Sequence, residues 1–93
     1  MAKIRVGVAG YGTIGQRLAD GIAMQGDMEL VGIADLAPTL AVRALRENDM
    51  IGANGVKYDL YLVDGADREA FAALDIPVAG TFEDLCKKVD IML

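Results

Sequence analysis

Gly10, Gly12 and Gly15 stand in the spacing G-x-G-x-x-G, directly after an apolar run from Ile4 to Ala9. Each position has its own physical use. Gly10 permits a tight turn out of a strand, and Gly12, lacking a Cβ, lets the backbone approach a pyrophosphate. Gly15 lets the following helix pack close to that strand. The N–H groups of Thr13 and Ile14 would then open the helix and face an anion with the positive end of the helix dipole behind them. The Thr13 hydroxyl could add a donor. A carboxylate, Asp35, stands twenty positions beyond Gly15, after a second apolar run. At a strand end such a group accepts hydrogen bonds from both hydroxyls of a ribose and repels a 2′-phosphate. Gly10, Gly12, Thr13, Ile14, Gly15 and Asp35 therefore form a predicted dinucleotide site, with NAD favoured over NADP. Two plainer readings stand beside it: three glycines that only make a tight turn, and an Asp35 that only serves the turn at Leu36-Ala37-Pro38. Arg43 could meet a 2′-phosphate, but it lies farther along the next helix and is expected to face solvent.

The elements that must hold these residues are legible as an alternation of strands and helices. Ile4 to Ala9 reads as a strand of a parallel sheet, buried on both faces. Thr13 to Gln25 reads as a helix with Ile14, Leu18 and Ile22 inward, widened by Ala19 and Ala23, with Arg17, Asp20 and Gln25 toward solvent. Gly26 suits the position just past its end. Glu29 to Ala34 is a second buried strand. Pro38 suits the start of a helix that runs to about Asn48, with Leu40, Ala41, Ala44 and Leu45 as its apolar face. Ile51 to Val56 reads as a loop and Tyr58 to Val63 as a short strand closed by Asp64-Gly65. Asp67 to Leu74 is a short helix, and Ile76-Pro77-Val78 is extended. Thr81 with Asp84 forms a capping box for a helix through about Lys88, and Val89 to Leu93 is a further buried strand. The fold class is α/β: a Rossmann-like, doubly wound, mostly parallel sheet, occupying residues 1–93 as the N-terminal part of a dinucleotide-binding domain. The apolar ending at Ile91-Met92-Leu93 suggests a truncated piece of a longer protein.

Composition excludes several other functions. The chain has 93 residues, 54% of them apolar, with a net charge of −5. A chain this short buries roughly 60–65% of its unfolded surface. Its negative charge argues against non-specific nucleic-acid or anionic-membrane partners, yet permits a phosphate site built from backbone N–H groups. No apolar stretch reaches the roughly 18 residues of a membrane span, and no leader segment is expected ahead of the first strand. There is one cysteine and no histidine. No catalytic residue or metal ligand is therefore expected within the chain, and a reducing cytoplasm is the expected location. Cys86 reads as a packing residue. Tyr58 and Tyr61 read as packing or partner-facing residues on an edge-like strand. Asp64, Asp67, Glu69, Glu83 and Asp84 read as turn and helix-start acids.

Taken together, these segments resemble the N-terminal cofactor-binding part of the archaeal-type (type II) glyceraldehyde-3-phosphate dehydrogenases. The likeness rests on Gly10 to Asp20 (G-Y-G-T-I-G-Q-R-L-A-D), Gln25 to Met28, Tyr58 to Tyr61, Ile76 to Thr81 and Val89 to Ile91, in the family's order and across nearly the whole chain. The resemblance implies phosphorylating oxidation of glyceraldehyde 3-phosphate by a tetrameric enzyme using a cysteine and a histidine. The family's nucleophile lies in a later segment, and Cys86 does not match it. Many members carry a lysine where Asp35 stands and often accept NADP, so Asp35 departs from the pattern. The Met50 to Gly55 stretch is longer than the family's usual connection. Two other readings remain: the dinucleotide-binding domain of another oxidoreductase, of dihydrodipicolinate-reductase or semialdehyde-dehydrogenase type, and a fragment that mainly self-associates through an exposed apolar edge.

Overall fold

The computed structural model describes residues 3–93. Strand β1 (Ile4–Ala9) leads through the glycine turn into helix α1 (Thr13–Ala23) and strand β2 (Met28–Asp35). Helix α2 (Leu40–Glu47) and a 3-10 turn (Ala53–Gly55) precede strand β3 (Leu60–Leu62). Helix α3 (Arg68–Ala73), strand β4 (Gly80–Thr81), helix α4 (Phe82–Lys88) and strand β5 (Ile91–Met92) complete the described chain. The strands pair in the order β4-β3-β2-β1-β5, every pairing parallel. Parallel neighbours need crossover connections, and helices supply them here. The fold is thus α/β and Rossmann-like.

Two cores, one on each face of the sheet, make the winding double. On one face Val6, Val8, Leu30, Ile33, Leu60 and Leu62 meet Ala19 and Ile22 of α1, Val42 and Leu45 of α2, and Phe71 of α3. On the other, Ala34 and Tyr61 meet Leu85 of α4, with Val31, Phe82 and Met92 packed around them. A strand alternates sides every residue, so Leu30 and Ile33 should face opposite ways. The register slips between Val6 and Gly7, where Leu30 and Gly32 are the successive partners. That bulge at Val31 brings both large side chains onto the α1 face. Gly32 points the other way, where a Cβ would sit 2.5 Å from the Tyr61 ring.

Several sequence expectations shift. Of the predicted α1 stripe Ile22, Ala19 and Ala23 are inward, but Ile14 is 74% exposed and Leu18 39%, and Gly15 joins the buried face. At its first turn the helix lies against the Gly10 carbonyl, where only a glycine fits. In α2 the face is Val42 and Leu45, while Leu40 is 81% exposed. Thr39, rather than Pro38, starts that helix, its hydroxyl accepting from the Val42 N–H at 3.4 Å. Gly26 is not among the left-handed residues; α1 ends on right-handed Met24. The extended stretch around Pro77 leads into β4, a strand too short to show a period. The capping box at Thr81 and Asp84 is present, and Gly65 takes the left-handed turn conformation at φ 89°.

The 49–57 stretch is not a free loop. Tyr58, fully buried, donates its hydroxyl to Asp20 Oδ1 at 2.8 Å and accepts from the Ala53 N–H at 3.0 Å. Asn54 Nδ2 reaches the Ala23 carbonyl at 3.4 Å, near the end of α1. A Cβ on Gly52 would collide with the Tyr58 ring, so the segment folds against that ring. Asp20 is half-buried under these contacts rather than purely solvent-facing. Tyr58 and Tyr61 are both buried, and Tyr61 lies on interior strand β3, not on an edge. Burial, first, and the Asp20 carboxylate hold the Tyr58 hydroxyl well above the ordinary phenol range.

Candidate functional site

The turn after β1 sits where the strand order reverses. β1 has β2 on one side and β5 on the other, and the crevice between β1 and β5 opens at the carboxyl ends. This is the topological switch point at which open α/β sheets take their ligands. The crevice is closed at its base by the Ala9 N–H donating to the Leu93 carbonyl at 2.7 Å.

The three glycines separate by what surrounds them. Gly10 is left-handed at φ 86°, and its N–H donates to the Ala34 carbonyl at 2.7 Å. A Cβ on Gly15 would lie 2.9 Å from the Gly10 carbonyl carbon and closer still to its oxygen. Gly15 is therefore the contact that lets α1 seat on the turn. Gly12 differs: a Cβ there meets nothing within 4 Å, and its backbone is ordinary extended chain at φ −84°, ψ −163°. Its glycine character serves no contact inside the protein. The space beside it is open and borders the first turn of α1.

That first turn carries no side-chain cap and no acidic residue. Gly12 is the N-cap, and its carbonyl accepts from the Gln16 N–H at 2.8 Å. The N–H groups of Thr13, Ile14 and Gly15 have no acceptor within the helix by virtue of position. Thr13 and Ile14 are exposed. An end of this kind, eleven residues of helix behind it, offers donors and a positive dipole to an anion.

Asp35, the last residue of β2, is partly buried and leans back toward the turn. Its Oδ2 accepts from the Tyr11 N–H at 3.1 Å and its Oδ1 from the Leu36 N–H at 2.7 Å. The carboxylate thus has a local role, as the turn reading expects, and also binds the glycine turn to the end of β2. Each oxygen keeps acceptor capacity beyond these two bonds. The six residues singled out in the sequence lie together at the carboxyl end of the sheet. Arg43 is exposed, its Nε donating to the Pro38 carbonyl at 3.0 Å.

Tyr11 is the residue that sequence reasoning missed. It is 6% exposed and packs edge-on against Tyr58, ring centroids 6.2 Å apart and planes at 84°. An aromatic residue between the first two glycines was the available signal. Cys86, expected in the packing, is exposed; its neighbour Leu85 fills the core. A hollow of about 600 Å³ opens at the opposite end of the sheet, lined by Lys3, Gln25, Glu29 and Lys57 among others. It lies at the amino ends of the strands, away from the switch point, and mixes both charge signs. The glycine turn, with its uncapped helix start, is the better-founded site. Among the described residues no cluster of three metal-ligating side chains occurs, and no helix is long and apolar enough to cross a membrane.

Comparison with known proteins fits this geometry. The chain is 38% identical over all 93 residues to a glyceraldehyde-3-phosphate dehydrogenase of Archaeoglobus fulgidus, covering 25% of that protein. It is 43% identical over 91 residues to the enzyme of that name from Pyrobaculum calidifontis, covering 24% of it. It is 37% identical over 93 residues to glyceraldehyde-3-phosphate dehydrogenase 1 of Methanosarcina barkeri, again covering 25%. The chain is a relative of the archaeal glyceraldehyde-3-phosphate dehydrogenases. The likeness runs the full length of the chain. The chain spans about a quarter of the length of these curated relatives. No protein-family model matches it.

Proposed function

We propose that residues 1–93 are the N-terminal, cofactor-holding part of a phosphorylating glyceraldehyde-3-phosphate dehydrogenase and bind NAD in preference to NADP. The observation that carries the reading is the pairing of an uncapped helix start with a carboxylate at one strand end, joined by the Tyr11 N–H to Asp35 bond. The open space at Gly12 fits a pyrophosphate, which needs backbone approach and N–H donors rather than cationic side chains. The Thr13 and Ile14 N–H groups would hold phosphate oxygens, and the Thr13 hydroxyl would add a donor. Gly10 and Gly15 would keep the helix start at the turn. Asp35 would accept from the adenosine ribose hydroxyls and disfavour a phosphate at the 2′ position. The nicotinamide ring of such a cofactor accepts hydride from an aldehyde carbon. The full-length relatives' name supports the aldehyde-oxidising reading for a cytoplasmic parent enzyme.

Titration calorimetry of the chain with NAD and NADP tests the proposal directly. NAD is expected to bind more tightly, and Asp35→Ser to narrow the gap by about tenfold, the loss of one charge-dependent discrimination worth about 1.4 kcal/mol. An unchanged NAD-to-NADP ratio in that variant would return Asp35 to a purely local role at the turn.

A further inference from the structure

We infer that Tyr11 is a positioning residue for cofactor discrimination: its buried ring fixes the backbone N–H that aims the Asp35 carboxylate. The inference rests on the NAD-binding reading and deepens it. Tyr11 sits between Gly10 and Gly12, two residues of high intrinsic backbone freedom. A turn flanked by two glycines does not by itself hold an N–H in one direction. Here the intervening side chain is 6% exposed and lodged in the α1 core, its ring edge-on to Tyr58. Tyr58 is held in turn by Asp20 of α1 at 2.8 Å and by the Ala53 N–H at 3.0 Å. The anchor therefore reaches from the 49–57 segment through two tyrosine rings to the turn.

The outcome at the surface is one hydrogen bond. The Tyr11 N–H meets Asp35 Oδ2 at 3.1 Å, while the Leu36 N–H holds Oδ1 at 2.7 Å. Two donors from two different segments fix the plane of a carboxylate, and a fixed plane presents the remaining lone pairs in one direction. If only Leu36 held it, the carboxylate could rotate away from a 2′-phosphate and the repulsion would fade. Discrimination against NADP is thus set partly by a side chain that itself points into the core. The ring, and not the phenol hydroxyl, is what the anchor needs.

Three variants of the chain separate the possibilities, each titrated with NAD and with NADP by calorimetry. Tyr11→Ala is expected to lower the NAD-to-NADP affinity ratio roughly tenfold, while Tyr11→Phe keeps it within about twofold of the parent. Val42→Ala removes contact from the same core at α2 and is expected to lower the melting temperature with the ratio unmoved. A ratio unchanged in Tyr11→Ala overturns the inference while leaving NAD binding intact. A ratio that falls equally in Val42→Ala overturns it too, because general loosening then explains the change. If the parent chain binds neither dinucleotide, the cofactor reading fails and the inference with it. Should Tyr11→Ala not fold, amide hydrogen exchange in the parent chain decides. A Tyr11 amide more protected than that of Gly12 supports the anchor, and equal exchange of the two overturns it.

Discussion

Replacing Gly12 with valine separates a glycine kept for a ligand from one kept for the fold. At φ −84° and ψ −163° the position is extended backbone that a β-branched residue adopts readily, and a Cβ there meets nothing within 4 Å. No left-handed strain follows, and the Cβ itself meets no neighbour. Removing a glycine restricts the unfolded chain, which stabilises by about 0.4–1 kcal/mol where the native conformation is compatible. For a domain of this size that is a melting temperature unchanged or raised by a few degrees, about 4–8 °C per kcal/mol. Binding should move the other way. The valine side chain would fill the space through which a phosphate reaches the Thr13 and Ile14 N–H groups. Loss of one or two hydrogen bonds to a charged group, about 1.5–3 kcal/mol each, lowers NAD affinity by about tenfold to more than a hundredfold. Calorimetry with NAD and a thermal melt on the same preparation measure both effects. A folded Gly12→Val chain with parental NAD affinity would refute the phosphate assignment, because the open space beside Gly12 would then be irrelevant to binding.

Gly15→Ala is the complementary case. The neighbouring Gly10 carbonyl oxygen lies far inside contact distance of that Cβ and must move by more than about 1 Å to reach the 3.4 Å of ordinary contact. We expect destabilisation of about 1–3 kcal/mol, read from the denaturant midpoint, and a midpoint equal to the parent's would contradict the packing account. Tyr58→Phe removes the acceptor for the Ala53 N–H and the donor to Asp20, so a loss of about 1–2 kcal/mol is expected in the same measurement. The acid limb carries a fourth expectation. The Thr81 backbone N–H and then its hydroxyl hold the Asp84 carboxyl below its ordinary value of 3.8, and the Arg5 backbone N–H and then its guanidinium do the same for Asp90. A depressed carboxyl stabilises the fold above its unfolded value and loses that contribution as pH falls through the lower folded value. Melting temperature is therefore expected to drop as pH falls below about 4, and Asp84→Asn to show a shallower drop; superimposable curves would argue against it.

The order of strands and helices was legible because parallel strands leave dense apolar runs and the turns between them are marked by Gly, Pro and capping residues. That the six candidate residues gather in one place was legible for a related reason: a glycine turn after β1 and an acid closing β2 fall at the same end of two parallel strands. The inward face of α1 was legible only in part: Ile22, Ala19 and Ala23 are inward as read, Ile14 and Leu18 are not. A periodic stripe of Ile14, Leu18 and Ile22 competes with one of Gly15, Ala19 and Ala23, offset by one residue. The close seat of Gly15 on Gly10 decides for the small residues. Leu40 misled for the opposite reason: it begins a helix whose inward direction is fixed by Val42 and Leu45. Strand β4, two residues long, carries no period to detect. The Tyr11 bond to Asp35 joins residues 24 apart and depends on one side-chain rotamer, which local pattern cannot reach.

The position of β1 has a consequence for how the chain assembles. β1 comes early in the sequence but lies inside the sheet, so its two edges are satisfied at different times. Its pairing with β2, Val6 beside Leu30, closes a short loop through α1. Its pairing with β5 must wait for the far end, where Arg5 meets Asp90 across 85 residues. Chain statistics make the second closure only about 1 kcal/mol more costly than the first, but β5 returns two paired residues against the six of β2. The sequence bearing the glycine turn and Asp35 is thus complete by residue 35, well ahead of the strand that walls its crevice. During synthesis the residues of the turn emerge before those of its cleft, and the Tyr58 ring that steadies them arrives in between.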